Sequence, residues 1–216
     1  MDIGCSLTLI SGMSWNFTGV IYFASSSSGE TITTAGQKLL NDIYFNKAGG
    51  EWILQDNLDI SNNYIYHVYG TLNTNNKSVD CRSYRSDYSN VRSLKLGSSI
   101  ISISNSSSYA FYIYMNNMTL DAGTSLLSFT STGNTGMYIS SASGSATFHD
   151  IEFIGSSITG SLNNSTGYQM IFNNVSFAGH GTINGNNLYN GDLTFTGGKT
   201  YTLPAGRTQT LGGDFI

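Results

Sequence analysis

One short phrase returns along this chain and limits what it can fold into. Asn41-Asp42-Ile43-Tyr44-Phe45 recurs as His149-Asp150-Ile151-Glu152-Phe153, Asn173-Asn174-Val175-Ser176-Phe177 and Gly191-Asp192-Leu193-Thr194-Phe195. Each copy has Asp or Asn (once preceded by His, once by Gly), then an aliphatic, a variable residue and Phe. In an extended strand the aliphatic and the Phe share one face and the variable residue takes the other. The last three copies start 24 and 18 residues apart. That spacing is one coil of a β-solenoid, too long for a hairpin turn and too short for a βαβ unit.

Composition decides between a folded and a disordered reading. Charged residues are only 10% of the chain, while Gly, Ser, Thr and Asn fill nearly half of it. Yet 39% is hydrophobic, with 14 Tyr and 11 Phe, and disordered chains lack such aromatic content. The balance predicts short strands joined by Gly/Ser/Asn turns, solubilised by hydroxyls and amides. Helical periodicity is confined to 37–45, where strand alternation competes with it.

Sandwiches and barrels also string short strands together. Neither has reason to repeat the same Asp/Asn-aliphatic-x-Phe in successive strands, whereas a solenoid stacks like residues in register and can build amide ladders from Asn. Looser copies, Ser93-Leu94-Lys95-Leu96 and Asn117-Met118-Thr119-Leu120, align at a 25-residue step from Arg92 to Asn117. The expected fold is an all-β, parallel β-helix (β-solenoid) over residues 1–216 as a single segment. Neither end reads as a polar cap, so continuations and caps on both sides are expected, together with a longer parent chain.

The sequence also excludes. A net charge of −4 gives no global attraction to nucleic acid. Lys77, Arg82, Arg85, Arg92 and Lys95 cluster with Tyr84 and Tyr88, but Asp80 and Asp87 dilute them, and a solvated loop accounts for the group. No stretch is long and apolar enough for a membrane span, and no signal peptide is legible at the N-terminus. Cys5 and Cys81 have no metal-binding spacing, and the sequence leaves open whether they pair. No cofactor is implied.

Several phrases resemble a recurring cassette. These are Thr31-Ile32-Thr33-Thr34-Ala35-Gly36-Gln37, Gly50-Glu51-Trp52-Ile53-Leu54-Gln55-Asp56, Gly70-Thr71-Leu72-Asn73-Thr74-Asn75-Asn76-Lys77-Ser78-Val79, Arg92-Ser93-Leu94-Lys95-Leu96-Gly97-Ser98-Ser99, and the stretch from Gly181-Thr182-Ile183-Asn184-Gly185 to Thr208-Gln209-Thr210. The cassette is that of very large, repetitive, secreted surface proteins of bacteria, especially Bacteroidetes-like ones. The resemblance covers most of 30–216. It implies a right-handed parallel β-helix, export to the cell surface, an adhesin-like or structural role, and host or cell-surface glycans or proteins as partners. It carries over no catalytic residue.

The competing enzymatic reading rests on Gly179-His180-Gly181, which resembles the Gly-His-Gly of polygalacturonases, with Asp150 and Glu152 upstream. The other phrases of that family are missing, and inverting hydrolysis needs a convergent carboxylate pair. His180 is therefore expected to be an exposed turn residue, and no catalytic or metal-binding residue is assigned. Thr-x-Thr phrases at Thr194, Thr200 and Thr208 start 6 and 8 residues apart, too close to mark successive coils. The remaining candidates are aromatic. Tyr64-Ile65-Tyr66-His67-Val68-Tyr69 and Tyr109–Met115 both alternate, so one face of each must be solvent-directed if the other is core. In the second, Phe111, Ile113 and Met115 read inward and Tyr112 and Tyr114 outward. With Tyr84 and Tyr88 these make a candidate ligand-contact surface of a lectin-like binder. A cross-strand stack that only stabilises the sheet is the competing explanation.

Overall fold

The computed structural model describes residues 1–216 as 25 short strands with no helix. Every ladder is parallel, and the chain winds about ten turns of a β-solenoid. Each full coil visits three faces in a fixed order. The first face stacks 58–60, 79–81, 100–103, 126–129, 150–153, 175–177 and 193–195. The second runs from Asp2–Ile3 to Tyr201–Thr202. The third is a six-stranded ladder from Leu7–Thr8 to Met118–Asp121, then a four-stranded one from Gly144–Thr147 to Gln209–Leu211. Strands Leu58–His67 and Val79–Ser86 pass through the corner between the first two faces and join them into one 15-stranded sheet.

The repeated phrase makes the inner wall of the first face. Leu127, Ile151, Val175 and Leu193 are register partners, as are Phe129, Phe153, Phe177 and Phe195. The Phe rings stack at 4.6 Å (Phe129–Phe153) and 4.8 Å (Phe153–Phe177), within 18° of parallel. These spacings match the roughly 4.7–4.9 Å between neighbouring strands, so the backbone ladder sets the aromatic stack. The buried core continues from Ile3 to Leu193 without a break.

Two details differ from the sequence alignment. The Asn41–Phe45 copy lies on the second face, where Ile43 and Phe45 stack on Ile21 and Phe23. An aliphatic-x-Phe triplet fits any inward-facing rung, so the phrase marks a rung without naming its face. On the third face Arg92 pairs with Met118 and Leu94 with Leu120. That is a 26-residue step, because only this register keeps both leucines inside. The closely spaced Thr phrases at 194, 200 and 208 occupy the three successive faces of one coil.

Asp and Asn in the phrase have a defined task at the corners, where backbone N–H groups need acceptors. Asp150 Oδ1 accepts the Asn174 N–H at 3.0 Å, Asn174 Oδ1 that of Asp192 at 2.8 Å, and Asp192 Oδ1 that of Asp214 at 2.9 Å. Asp42 does the same for Tyr64, Asn57 for Ser78, Asn76 for Ser98 and Asn186 for Thr208. The ladder thus runs from side chain to backbone, coil to coil.

One buried polar network interrupts the core. On the second face the inward row Phe23–Phe45 continues as His67. The His67 Nε2–H donates to Gly70 O (2.9 Å), since a carbonyl can only accept, and Nδ1 then accepts from the Tyr84 hydroxyl at 2.7 Å. Ser86 Oγ donates to His67 O and accepts from Arg92 Nη1. Arg92 itself is 1% exposed and makes no ion pair. Its guanidinium donates to the carbonyls of Ser86, Asn90, Tyr114 and Asn116.

Burial lowers the His67 pKa to about 4 from 6.5, with nearby Arg92 adding to the shift. The unfolded chain takes up this proton below pH 6.5 and the folded chain resists it until about pH 4. His67 therefore contributes stability that is whole above pH 6.5 and is lost as pH falls toward 4, about 3 kcal/mol across that window. Urea unfolding at pH 7 and pH 4.5 should show wild type losing about 2–3 kcal/mol more than His67→Gln. Equal losses would remove His67 from the account.

Candidate functional site

The outward row of the second face gathers the exposed aromatic chemistry. Tyr22, Tyr44, Tyr66, Arg85, Tyr112 and Tyr138 are successive register partners. They face outward because their neighbours in each strand, such as Ile43 and Phe45 or Phe111 and Ile113, are buried. Tyr22–Tyr44 centroids are 5.0 Å apart and Tyr44–Tyr66 4.4 Å, the latter pair within 15° of parallel. Arg85 is held by Asp87 at 2.6 Å and lies 5.7 Å over the Tyr112 ring. Tyr112, Tyr138 and Tyr109 form an edge-on cluster, with centroids 5.0–5.9 Å apart.

Burial, then the neighbouring phenols, pushes Tyr44 up to about 12. Burial also raises Tyr66, Tyr88 and Tyr112. All stay protonated at neutral pH, as hydroxyl donors. In the Tyr22–Tyr44–Tyr66 stretch the rings cover one another's faces. Both faces of Tyr44 are covered in this way, whereas Tyr22 has a ring neighbour on one side only.

The four candidate tyrosines fare differently. Tyr112 lies in the row, and Tyr88 is half-buried near Tyr44 and Tyr66. Tyr114 is half-buried on the same strand as Tyr112, and its carbonyl holds Arg92. Tyr84 is a correction: it is 2% exposed, stacks on Phe111 at 5.0 Å and bonds to His67. Tyr66 belongs to the aromatic alternation of 64–69, while sequence reasoning missed Tyr22 and Tyr44, whose signal is the variable position of Ile-Tyr-Phe.

The basic cluster also separates. Arg82 is exposed at a corner, Arg85 points outward, Arg92 is buried and Lys95 pairs with Glu51 at 3.0 Å on the third face. No stacking-plus-phosphate surface is assembled.

The enzymatic candidates serve the ladder. Asp150 is engaged by Asn173 and Asn174, and Glu152 accepts from Ser128 Oγ at 2.6 Å. His180 is no exposed turn residue: it is half-buried at the start of strand His180–Asn184, and Nδ1 accepts the Thr200 N–H at 3.0 Å. Its flanking glycines are there for space. A Cβ on Gly179 would sit 2.3 Å from Gly155 O, and one on Gly181 2.8 Å from the Tyr201 ring.

Cys5 is exposed and Cys81 buried in the core, and both are free thiols. Burial raises Cys81 to about 12, so it persists as an unreactive thiol. No group of three or more His, Cys, Asp or Glu side chains is placed to hold a metal, and no helix is long and apolar enough to cross a membrane. No protein-family model, curated protein or solved structure matches this chain.

Proposed function

We propose that this chain is a structural, adhesin-like rod of a bacterial surface protein, displayed outside the cell and working without catalysis. The observation that carries the reading is the corner ladder, in which Asp and Asn side chains tie coil to coil beside an unbroken core. Such a stack shares stability between neighbouring coils and resists bending, as a projecting element must. The outward hydroxyls and amides keep it soluble with few charges. The phrase resemblance to secreted bacterial surface proteins supports the extracellular placement.

Intact producing cells treated with a membrane-impermeant biotin reagent test the placement. The chain is expected to be labelled before lysis, and labelling only after lysis would overturn it. Turnover of uronic-acid polymers that disappears in His180→Ala would overturn the non-catalytic part.

A further inference from the structure

The corner between the first and second faces changes character along the rod. In strands Leu58–His67 and Val79–Ser86 the chain passes straight through it, with a register shift between Ile60 and Tyr64 and Arg82 at the bend. One coil later, residues 104–110 loop between strands Ile100–Ile103 and Phe111–Tyr114. The step leaves an open hollow of about 450 Å³, lined by Ser61, Asn62, Arg82, Ser104, Asn105 and Ser106.

The hollow is built from tied parts. Ser104 Oγ donates to Ser61 O at 3.1 Å, Asn105 N–H to Arg82 O at 2.9 Å, and Thr135 Oγ1 to Asn105 O at 2.8 Å. Arg82 lies 5.5 Å over the Tyr64 ring, whose hydroxyl meets Asn105 Nδ2 at 3.5 Å. Its guanidinium has no carboxylate within ion-pair distance. A smaller hollow beside it, of about 130 Å³, shares Ser61 and Ser104 and reaches Asp59 and Asp80. Lys38 pairs with Asp59 at 3.6 Å, and Asp80 makes no ion pair.

We propose that this hollow binds an oligosaccharide bearing a carboxylate. Ser61 Oγ already meets Lys38 Nζ, Ser104 Oγ donates to Ser61 O and Ser106 Oγ meets Ser131 Oγ. An apolar ligand would therefore strip water from the Arg82 and Asn62 side chains and from the remaining lone pairs, at a cost for each, whereas a polyhydroxylated one replaces that water. Arg82 offers a planar fork that accepts a carboxylate bidentately, and Tyr64 behind it holds the fork in place. Asp80 at the far end accepts sugar hydroxyls. Asp59 and Asp80 balance Lys38 and Arg82, so the hollow offers a polyphosphate chain no excess of positive charge. The inference goes beyond the structural role and holds wherever the rod is displayed.

The test is calorimetric titration of the full chain at low salt with three probes: a glucuronic-acid-containing tetrasaccharide, its carboxyl methyl ester, and sulfate. The acid is expected to bind wild type. The ester on wild type, and the acid on Arg82→Gln, should each bind at least about tenfold more weakly. Arg82 is exposed, so its variant should keep the wild-type unfolding midpoint, which separates lost binding from lost fold. No binding of the acid to wild type, equal binding by Arg82→Gln, or equal binding of the ester would overturn the proposal. Sulfate binding as tightly as the acid would reduce the site to a simple anion site and overturn its saccharide part. Surface labelling of cells is unaffected by any of these results.

Discussion

Replacing Arg92 with methionine should lower the unfolding free energy by about 3–5 kcal/mol, the loss of several charge-assisted hydrogen bonds to carbonyls. Methionine fills similar space but leaves the carbonyls of Ser86, Asn90, Tyr114 and Asn116 without their donor. The buried Ser86 carbonyl carries the full desolvation cost of a lost partner, and the part-buried carbonyls of Asn90, Tyr114 and Asn116 a share of it. Because those carbonyls belong to the backbone of two coils, no side-chain change can remove them. Arg92→Lys should recover less than half of the loss, since one ammonium cannot span the positions a planar fork reaches. Denaturant unfolding measures both, and a loss under about 1 kcal/mol in Arg92→Met would contradict the cage.

Phe153→Ala should cost about as much, roughly 3–5 kcal/mol. Phe153 is stacked on both sides, by Phe129 and Phe177, and is 1% exposed. Its removal opens a cavity between two coils that the rigid ladder cannot close. Tyr66→Ala, on an outward row with equally close rings, should cost about 1 kcal/mol or less, because that pair adds only cross-strand contact. Comparable losses for the two would mean that inward and outward faces have been confused.

The inward pairs and the coil length were legible because each rests on local alternation. Ile151 with Phe153, Val175 with Phe177 and Leu193 with Phe195 obey period two, and period two survives in any sheet. Face identity was not legible, since the triplet around Ile43 serves the second face as well as the first. Tyr84 was misplaced for a sharper reason. Counting by twos from Cys81 puts Ser83 and Arg85 inside; Ser83 is buried, but the corner there shifts the phase by one, so that Tyr84 and Ser86, and not Arg85, are buried next. The shift between Ile60 and Tyr64 is the same event one coil earlier. For Arg92 a signal did exist: it shares parity with Leu94 and Leu96, both buried. Its charge pointed to solvent, and half of the cage that outweighs the charge, the carbonyls of Tyr114 and Asn116, comes from 22 and 24 residues away. The hollow at Arg82 had no local signal, because the loop that walls it comes from the following coil.

Distances between spin labels along the first face test the in-register coil stack most directly. Asp59, Asp80, Ser102, Ser128, Glu152, Ser176 and Thr194 follow one another as register partners. Labels at Thr194 and, in turn, Ser102, Asp80 and Asp59, with Cys5 and Cys81 replaced by serine and alanine, are four, five and six rungs apart. Backbone separations should rise in equal steps, about 19, 24 and 29 Å. Separations that do not grow with rung number, as in a sandwich or barrel, would contradict the solenoid.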